Sequence, residues 1–157
     1  MVRLRARALP VMVALLVLTA GWLYWDGSSR RDARAAGLEA MQAARESVVA
    51  VFSYRAETVE KDLDTARERL TGRFLDDYTQ LVKTVVVPDA KQRRISAAAK
   101  VAAAAVVSAE PDNAVVLAYV DQTTTEGADN PTVARSTVRV TMEKVDGRWL
   151  ISGFQPI

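Results

Sequence analysis

The chain has 157 residues, with 21 Lys and Arg, 19 Asp and Glu, no Cys and no His. The absence of Cys excludes a disulfide framework and thiolate metal sites, and the absence of His removes the commonest general base and metal ligand. All 19 acidic residues follow Trp25, whereas 3 of the 21 basic residues precede it, so the remainder carries a net charge of −1. A nearly neutral domain gives no support to nucleic-acid binding, and no nucleic-acid partner is predicted.

An uncharged apolar run occupies residues 8–25. At a rise of about 1.5 Å per residue, a helix of this length approaches the roughly 30 Å hydrocarbon core of a bilayer. The run ends in an aromatic cluster typical of the membrane–water interface, and no small-x-small cleavage site follows it. The sequence therefore predicts a retained transmembrane helix, with a cleaved secretory signal as the alternative. The residues predicted to lie at the membrane interfaces are Arg3, Arg5, Arg7, Trp22, Tyr24 and Trp25.

The charges on either side of this helix nearly balance, because Arg30, Arg31 and Arg34 follow it. The number of cationic groups on each side barely favours a cytoplasmic N-terminus. Moving a tail of three arginines and an ammonium group outward is, however, unfavourable against the membrane potential. We therefore predict a single-pass protein of the cell membrane. Its basic tail (1–7) is cytoplasmic, and residues 26–157 form one extracytoplasmic domain.

The domain is predicted to begin with a long juxtamembrane helix, over about residues 30–52. This stretch is rich in Ala, Glu and Arg and carries a narrow stripe of small residues at helical spacing. The stripe packs on the sheet of the same domain or, alternatively, the helix forms a stalk that pairs with a partner helix. The residues of the stripe are Ala33, Gly37, Ala40, Ala44, Val48 and Val51.

Two further helices are predicted before any strand. Apolar residues at helical spacing run from Val59 to Leu70, with Thr58 as a plausible N-cap and Gly72 as the point where this helix ends or kinks. The same period continues from Phe74 to Val85, and Pro88 is expected to close the third helix.

Four strands are predicted after Arg94. The Ala-rich stretch 95–109 is assigned as a strand because it precedes a β-branched segment, 114–125, with which it can pair across a turn. Alternating residues then lead to the dipeptide Asp146-Gly147, which is typical of a type I′ hairpin. This turn sets Lys144 opposite Trp149 and Met142 opposite Ile151. Three helices against a curved four-stranded antiparallel sheet make an α+β cone.

A cone of this shape can enclose a pocket, and some such pockets host acid–base chemistry. The candidates are Tyr78 in the third helix and Tyr119 and Asp121 in the second strand. The sequence does not show that they converge, and Tyr78 lies on an apolar stripe where a core tyrosine is the ordinary interpretation. No catalytic residue is therefore predicted. A pocket would be lined by Phe74, Tyr78, Val140, Met142, Trp149 and Ile151.

Charged clusters in the domain have simpler interpretations than ligand sites. Asp62, Asp64, Asp76 and Asp77 lack the alternation around a glycine that a calcium loop needs, so no metal is predicted and helix ion pairs are expected. The basic segment 91–94 could meet anionic lipid or an acidic partner, but a solvated loop is favoured. No phosphate-binding or dinucleotide motif occurs, and no cofactor is predicted.

The order of several short motifs resembles that of the actinobacterial Mce-associated membrane proteins (Mam proteins). The resemblance covers most of the chain, from the basic tail and N-terminal apolar helix to the final hairpin. The motifs that carry it are Asp62-Leu63-Asp64, Thr71-Gly72-Arg73-Phe74, Ser108 to Leu117, Val120-Asp121-Gln122-Thr123 and Asp146 to Ile151.

The resemblance implies a non-enzymatic accessory subunit that stabilises an Mce-type lipid or sterol import complex. It also implies a nuclear-transport-factor-two-like cone outside the membrane, with the membrane and Mce-complex subunits as partners. Two alternatives stay open. One is an extracytoplasmic carrier that binds lipid in the cone, and the other is an assembly scaffold of another envelope complex, such as type IV secretion.

Overall fold

Three helical stretches precede four long strands in residues 31–157, the part of the chain described by the computed structural model. The predicted tail (1–7), transmembrane helix (8–25) and interface residues lie outside it. None of the helices within residues 31–157 is long and apolar enough to cross a bilayer. The elements in order are α1 (residues 31–52), α2 (Val59–Arg67), α3 (Gly72–Leu81), a π-helical segment (Val82–Val86), α4 (Val87–Arg93), β1 (Ile95–Ala109), β2 (Asn113–Glu126), β3 (Thr132–Val145) and β4 (Arg148–Pro156).

The sheet is an antiparallel meander with strand order β1-β2-β3-β4. Lys144 lies opposite Trp149 and Met142 opposite Ile151, as the hairpin turn predicts. Asp146 and Gly147 have φ of 50° and 77°, the positive values that a type I′ turn requires at both central residues. Two register shifts between β1 and β2, and one between β3 and β4, are bulges that increase the local twist. The predicted α+β architecture is confirmed.

The third helix does not end at Pro88. The chain stays helical from Gly72 to Arg93 through the π-helical segment, and Pro88 lies in the first turn of α4. The π turn before Pro88 changes the hydrogen-bond register of the helix, and the helix continues through the proline, which has no N–H to donate. The helix ends where Arg94 adopts the left-handed conformation, with φ of 54°.

Helix α1 packs on the sheet of its own domain, as predicted. Its small residues Ala40, Ala44 and Val48 are fully buried and belong to the same core as Val140 and Ile151. The Glu39 carboxylate at the edge of α1 accepts hydrogen bonds from Lys144 Nζ (3.1 Å) and Trp149 Nε1 (3.3 Å). Both bonds lower the pKa of Glu39, and the bond from Lys144 has the larger effect. Small side chains thus let helix and sheet approach closely, and polar contacts at the edge fix the orientation of the helix.

Candidate functional site

An apolar cavity of about 440 Å³ opens between the C-terminal end of α1 and the helical stretch formed by α3 and the π-helical segment. Side chains from α2, β2 and β4 complete its wall. The residues that line it are Val51, Phe52, Tyr54, Leu63, Phe74, Asp77, Tyr78, Leu81, Val82, Val86, Gln122 and Phe154. Because eight of the twelve are aliphatic residues or phenylalanine, the cavity favours an apolar occupant.

Three phenylalanines form a continuous cluster along one side of the cavity. The Phe154 ring of β4 lies 5.2 Å from the ring of Phe52 and 5.9 Å from that of Phe74, centroid to centroid. The second pair is stacked, with an interplanar angle of 14°. Aromatic pairs at these separations stabilise each other beyond their buried area, so the cluster gives the cavity a rigid wall.

Two polar side chains in the wall donate hydrogen bonds to the last carbonyl groups of α1. The Tyr78 hydroxyl donates to the Val51 carbonyl (3.3 Å), and Gln122 Nε2 donates to the Phe52 carbonyl (3.1 Å). The last carbonyl groups of a helix have no hydrogen-bond partner within the helix, and these two side chains act as their partners. Burial is the main cause that raises the pKa of the Tyr78 hydroxyl, with a smaller contribution from Tyr54. Tyr78 is therefore a neutral structural donor.

Replacing Tyr78 by phenylalanine should lower the free energy of unfolding by about 1 kcal/mol at pH 7, because a buried hydrogen bond is lost. The raised pKa favours the neutral form in the fold, so this contribution is present below the unfolded pKa of about 10 and is lost as the pH rises above it. The variant should therefore lose stability less steeply with pH above 10 than the wild type. Denaturant unfolding between pH 7 and 11 measures both effects.

The exposed Tyr119 provides the control for this experiment, since 49% of its surface is accessible. Tyr119→Phe should leave stability at pH 7 unchanged. Burial also raises the pKa of Tyr54, so the Tyr78→Phe protein keeps part of the alkaline loss. Equal alkaline slopes in the wild type and the Tyr78→Phe protein would show that Tyr78 is ionised as readily in the fold as in the unfolded chain.

Of the six residues predicted to line a pocket, Phe74 and Tyr78 line this cavity. Val140, Met142, Trp149 and Ile151 do not. The first two and Ile151 are fully buried in the core, and Trp149 is 9% exposed beside Glu39. All four face the helices, as predicted, but they lie in the part of the sheet over which the small residues of α1 pack closely. The lining residues Phe52, Leu81 and Phe154 were missed because apolar periodicity does not distinguish a cavity wall from a filled core.

The three candidates for acid–base chemistry are not brought together. Tyr119 and Asp121 alternate with the buried Ala118 and Val120, so they point to the outer face of the sheet. There the Asp121 carboxylate lies 3.4 Å from the Arg135 guanidinium. Tyr78 lies on the inner side, bonded to α1. An aspartate base and a tyrosine donor therefore do not converge on one substrate.

The charged clusters are engaged in contacts within the domain. Asp64 pairs with Arg67, and Asp77 pairs with Arg73. The basic segment 91–94 ends helix α4 and is not the loop that was predicted. Two of its side chains are paired, Lys91 with Glu60 and Arg93 with Glu126. No group of three or more metal-ligating side chains occurs within residues 31–157.

A second surface feature, which sequence reasoning missed, lies between the first half of α1 and the end of β1. We call it the α1–β1 patch and define it by its exposed apolar side chains Leu38, Val106 and Val107, which are 64%, 37% and 61% accessible. They border a depression of about 500 Å³. The available signal is the pair of adjacent valines near the end of β1, where a register shift between Val106 and Ser108 interrupts the alternation of side chains and both valines border the depression.

The fold is shared with envelope proteins of known structure. An IcmL-like type IV secretion system protein of Legionella pneumophila matches 74% of this chain and 90% of its own at a TM-score of 0.64 and 10% identity. The periplasmic domain of DotI matches 74% and 91% at a TM-score of 0.63 and 16% identity. At such low identities the likeness establishes the fold alone.

The chain belongs to the family of uncharacterized Rv1363c/MT1408-like proteins, whose model matches residues 3–155. A mycobacterial relative carries a more specific name. The outer membrane protein Rv1973 of Mycobacterium tuberculosis H37Rv is 53% identical over 149 residues, which cover 95% of this chain and 93% of the relative.

Proposed function

We propose that this protein is a non-enzymatic, membrane-anchored subunit that stabilises a multi-protein complex of the cell envelope, with the α+β domain outside the cytoplasm. The name of the 53% identical relative supports membrane association. The fold supports an extracytoplasmic position, since it is that of the DotI periplasmic domain. The separation of Tyr78 from Tyr119 and Asp121 supports a role without catalysis.

The observation that carries this proposal is the α1–β1 patch. Its three large apolar side chains are exposed together beside a depression, and contiguous exposed apolar surface marks interaction sites. The patch lies on the first turns of α1, the end of the domain that follows residues 1–30 in the chain. A subunit held at the membrane would therefore present this surface to other membrane-associated subunits.

The complex that we propose is an Mce-type lipid or sterol import system, with its protein subunits and the membrane as partners. The order of motifs along the chain supports this assignment. The likeness to the IcmL-like protein supports the alternative, an assembly scaffold of a secretion-type complex. In both cases the N-terminus is cytoplasmic, a single helix crosses the cell membrane, and the domain acts by binding proteins.

Affinity capture after cross-linking in membranes of the native host tests the proposal. Wild-type protein should recover Mce-type subunits, and Val107→Arg, which places a charge in the patch, should recover at least tenfold less, because burying an unpaired charge costs several kcal/mol. Val133→Arg is the matched control, because Val133 is a strand valine of similar exposure (57%) outside the patch. It should capture as well as the wild type.

Two results would overturn the proposal as stated. Equal recovery by Val107→Arg and Val133→Arg would remove the patch from the interface. Recovery of secretion-type subunits in place of Mce-type subunits would assign the protein to the alternative complex.

A further inference from the structure

We propose that the cavity between α1 and the α3–π stretch binds the single alkyl chain of an amphiphile whose polar head is uncharged, such as a monoacylglycerol. This site is separate from the α1–β1 patch, and the proposal does not depend on the identity of the partner complex.

The volume of the cavity matches one chain. At about 440 Å³ it falls within the range of roughly 300–1,000 Å³ that is usual for small-molecule sites. With about 30 Å³ for each group of the size of a water molecule, it has room for about 15 such groups. A chain of about 14 carbons fits this space, whereas a lipid with two such chains does not.

Most of the cavity wall is apolar. Leu81 lines the cavity and is 52% exposed, so the cavity reaches solvent beside this side chain. Val82 and Val86 of the π-helical segment form part of the wall, and π turns are frequent at functional sites. An alkyl chain entering here replaces water at surfaces that are poorly hydrated.

The charges around the opening disfavour an anionic head. Asp77 lines the cavity, and its carboxylate lies 3.5 Å from Arg73, which is therefore already paired. Arg67, which acts electrostatically on Tyr78, does not line the cavity; its Nη1 is paired with Asp64, and its buried Nε has no partner within residues 31–157. Asp77 is the charged side chain among the lining residues, so a carboxylate or phosphate head would lie beside a carboxylate and no cation of the cavity wall. An uncharged head avoids this repulsion.

Tyr54 supplies a polar anchor for such a head. It lines the cavity and is partly buried, and within residues 31–157 its hydroxyl makes no hydrogen bond. A phenol hydroxyl both donates and accepts, so it pairs well with an alcohol. Tyr78 and Gln122 are already bonded to the end of α1 and shape the wall.

Photo-labelling of the full-length chain in nanodiscs tests the site. The probes are a monoacylglycerol with one chain of about 14 carbons bearing a diazirine, and the fatty acid with the same chain. The monoacylglycerol should label residues 74–86 at least fivefold more than the fatty acid at pH 8. Val86→Phe fills the cavity and should reduce this labelling at least fivefold. Val85→Phe is the control, because the neighbouring Val85 does not line the cavity, and it should label as the wild type does.

Tyr54→Phe provides a test that does not depend on filling the cavity. It should lower the preference for the monoacylglycerol about fivefold, the value of one neutral hydrogen bond. Labelling confined to residues 1–30, or equal labelling of the Val86→Phe and Val85→Phe proteins, would overturn the proposed site. Equal labelling by the two probes would overturn the assigned head group. None of these results affects partner capture through the α1–β1 patch. The proposed alkyl-chain site and the proposed function can therefore fail independently.

Discussion

Replacement of Ile151 by alanine should lower the free energy of unfolding by about 3 kcal/mol, the middle of the usual range for truncating a buried isoleucine. Ile151 is fully buried in β4 opposite Met142. Its backbone N–H donates to the Arg69 carbonyl and its carbonyl accepts from the Thr71 N–H, both at 2.9 Å. These bonds hold the strand in place, so the core cannot collapse easily around the missing atoms. Urea unfolding of the full-length protein in detergent measures the change.

Ile157→Ala is the matched control, because the side chain of Ile157 is 67% exposed. It should change the free energy of unfolding by less than about 0.5 kcal/mol. The comparison also tests whether Ile151 lies in a filled core or lines an open pocket. If Ile151 lined an open pocket, as the sequence suggested, its truncation would create little new void and would cost nearer to 1 kcal/mol. A loss that small would place the cavity under β4.

Local patterns predicted the sheet because they encode local geometry. Alternation from Val138 to Met142 assigned one face to the core, and Asp146-Gly147 fixed both the turn type and the register of the hairpin. The Ala-rich β1 was assigned through its neighbour, since alanine alone favours a helix and only pairing with β2 makes it a strand. Each of these inferences needed only residues close in sequence.

The cavity and the α1–β1 patch could not be predicted from local sequence patterns. Both depend on where α1 crosses the sheet, which is set by contacts between residues distant in sequence, such as Glu39 with Lys144 and Trp149. The end of the third helix was misplaced for a related reason, because the π-helical segment before Pro88 leaves no sequence signal.

Replacement of Gly37 by valine should lower the free energy of unfolding by about 1–2 kcal/mol. A Cβ atom built at Gly37 lies 3.0 Å from Ala109 Cβ and 3.4 Å from Val106 Cγ1. The added methyl groups of valine therefore force α1 away from β1. The gain of about 0.4 kcal/mol from replacing glycine within a helix only partly offsets this cost. Thermal or urea unfolding of the full-length protein measures the sum.

Ala35→Val separates packing from helix propensity. Ala35 is an exposed residue of α1, so the larger side chain should cost only the propensity difference of about 0.5 kcal/mol. Since Val106 also borders the α1–β1 patch, Gly37→Val should disturb partner capture while Ala35→Val leaves it unchanged. A Gly37→Val protein as stable as the wild type would mean that α1 can move off β1 freely. The close approach of helix and strand would then not be what shapes the patch.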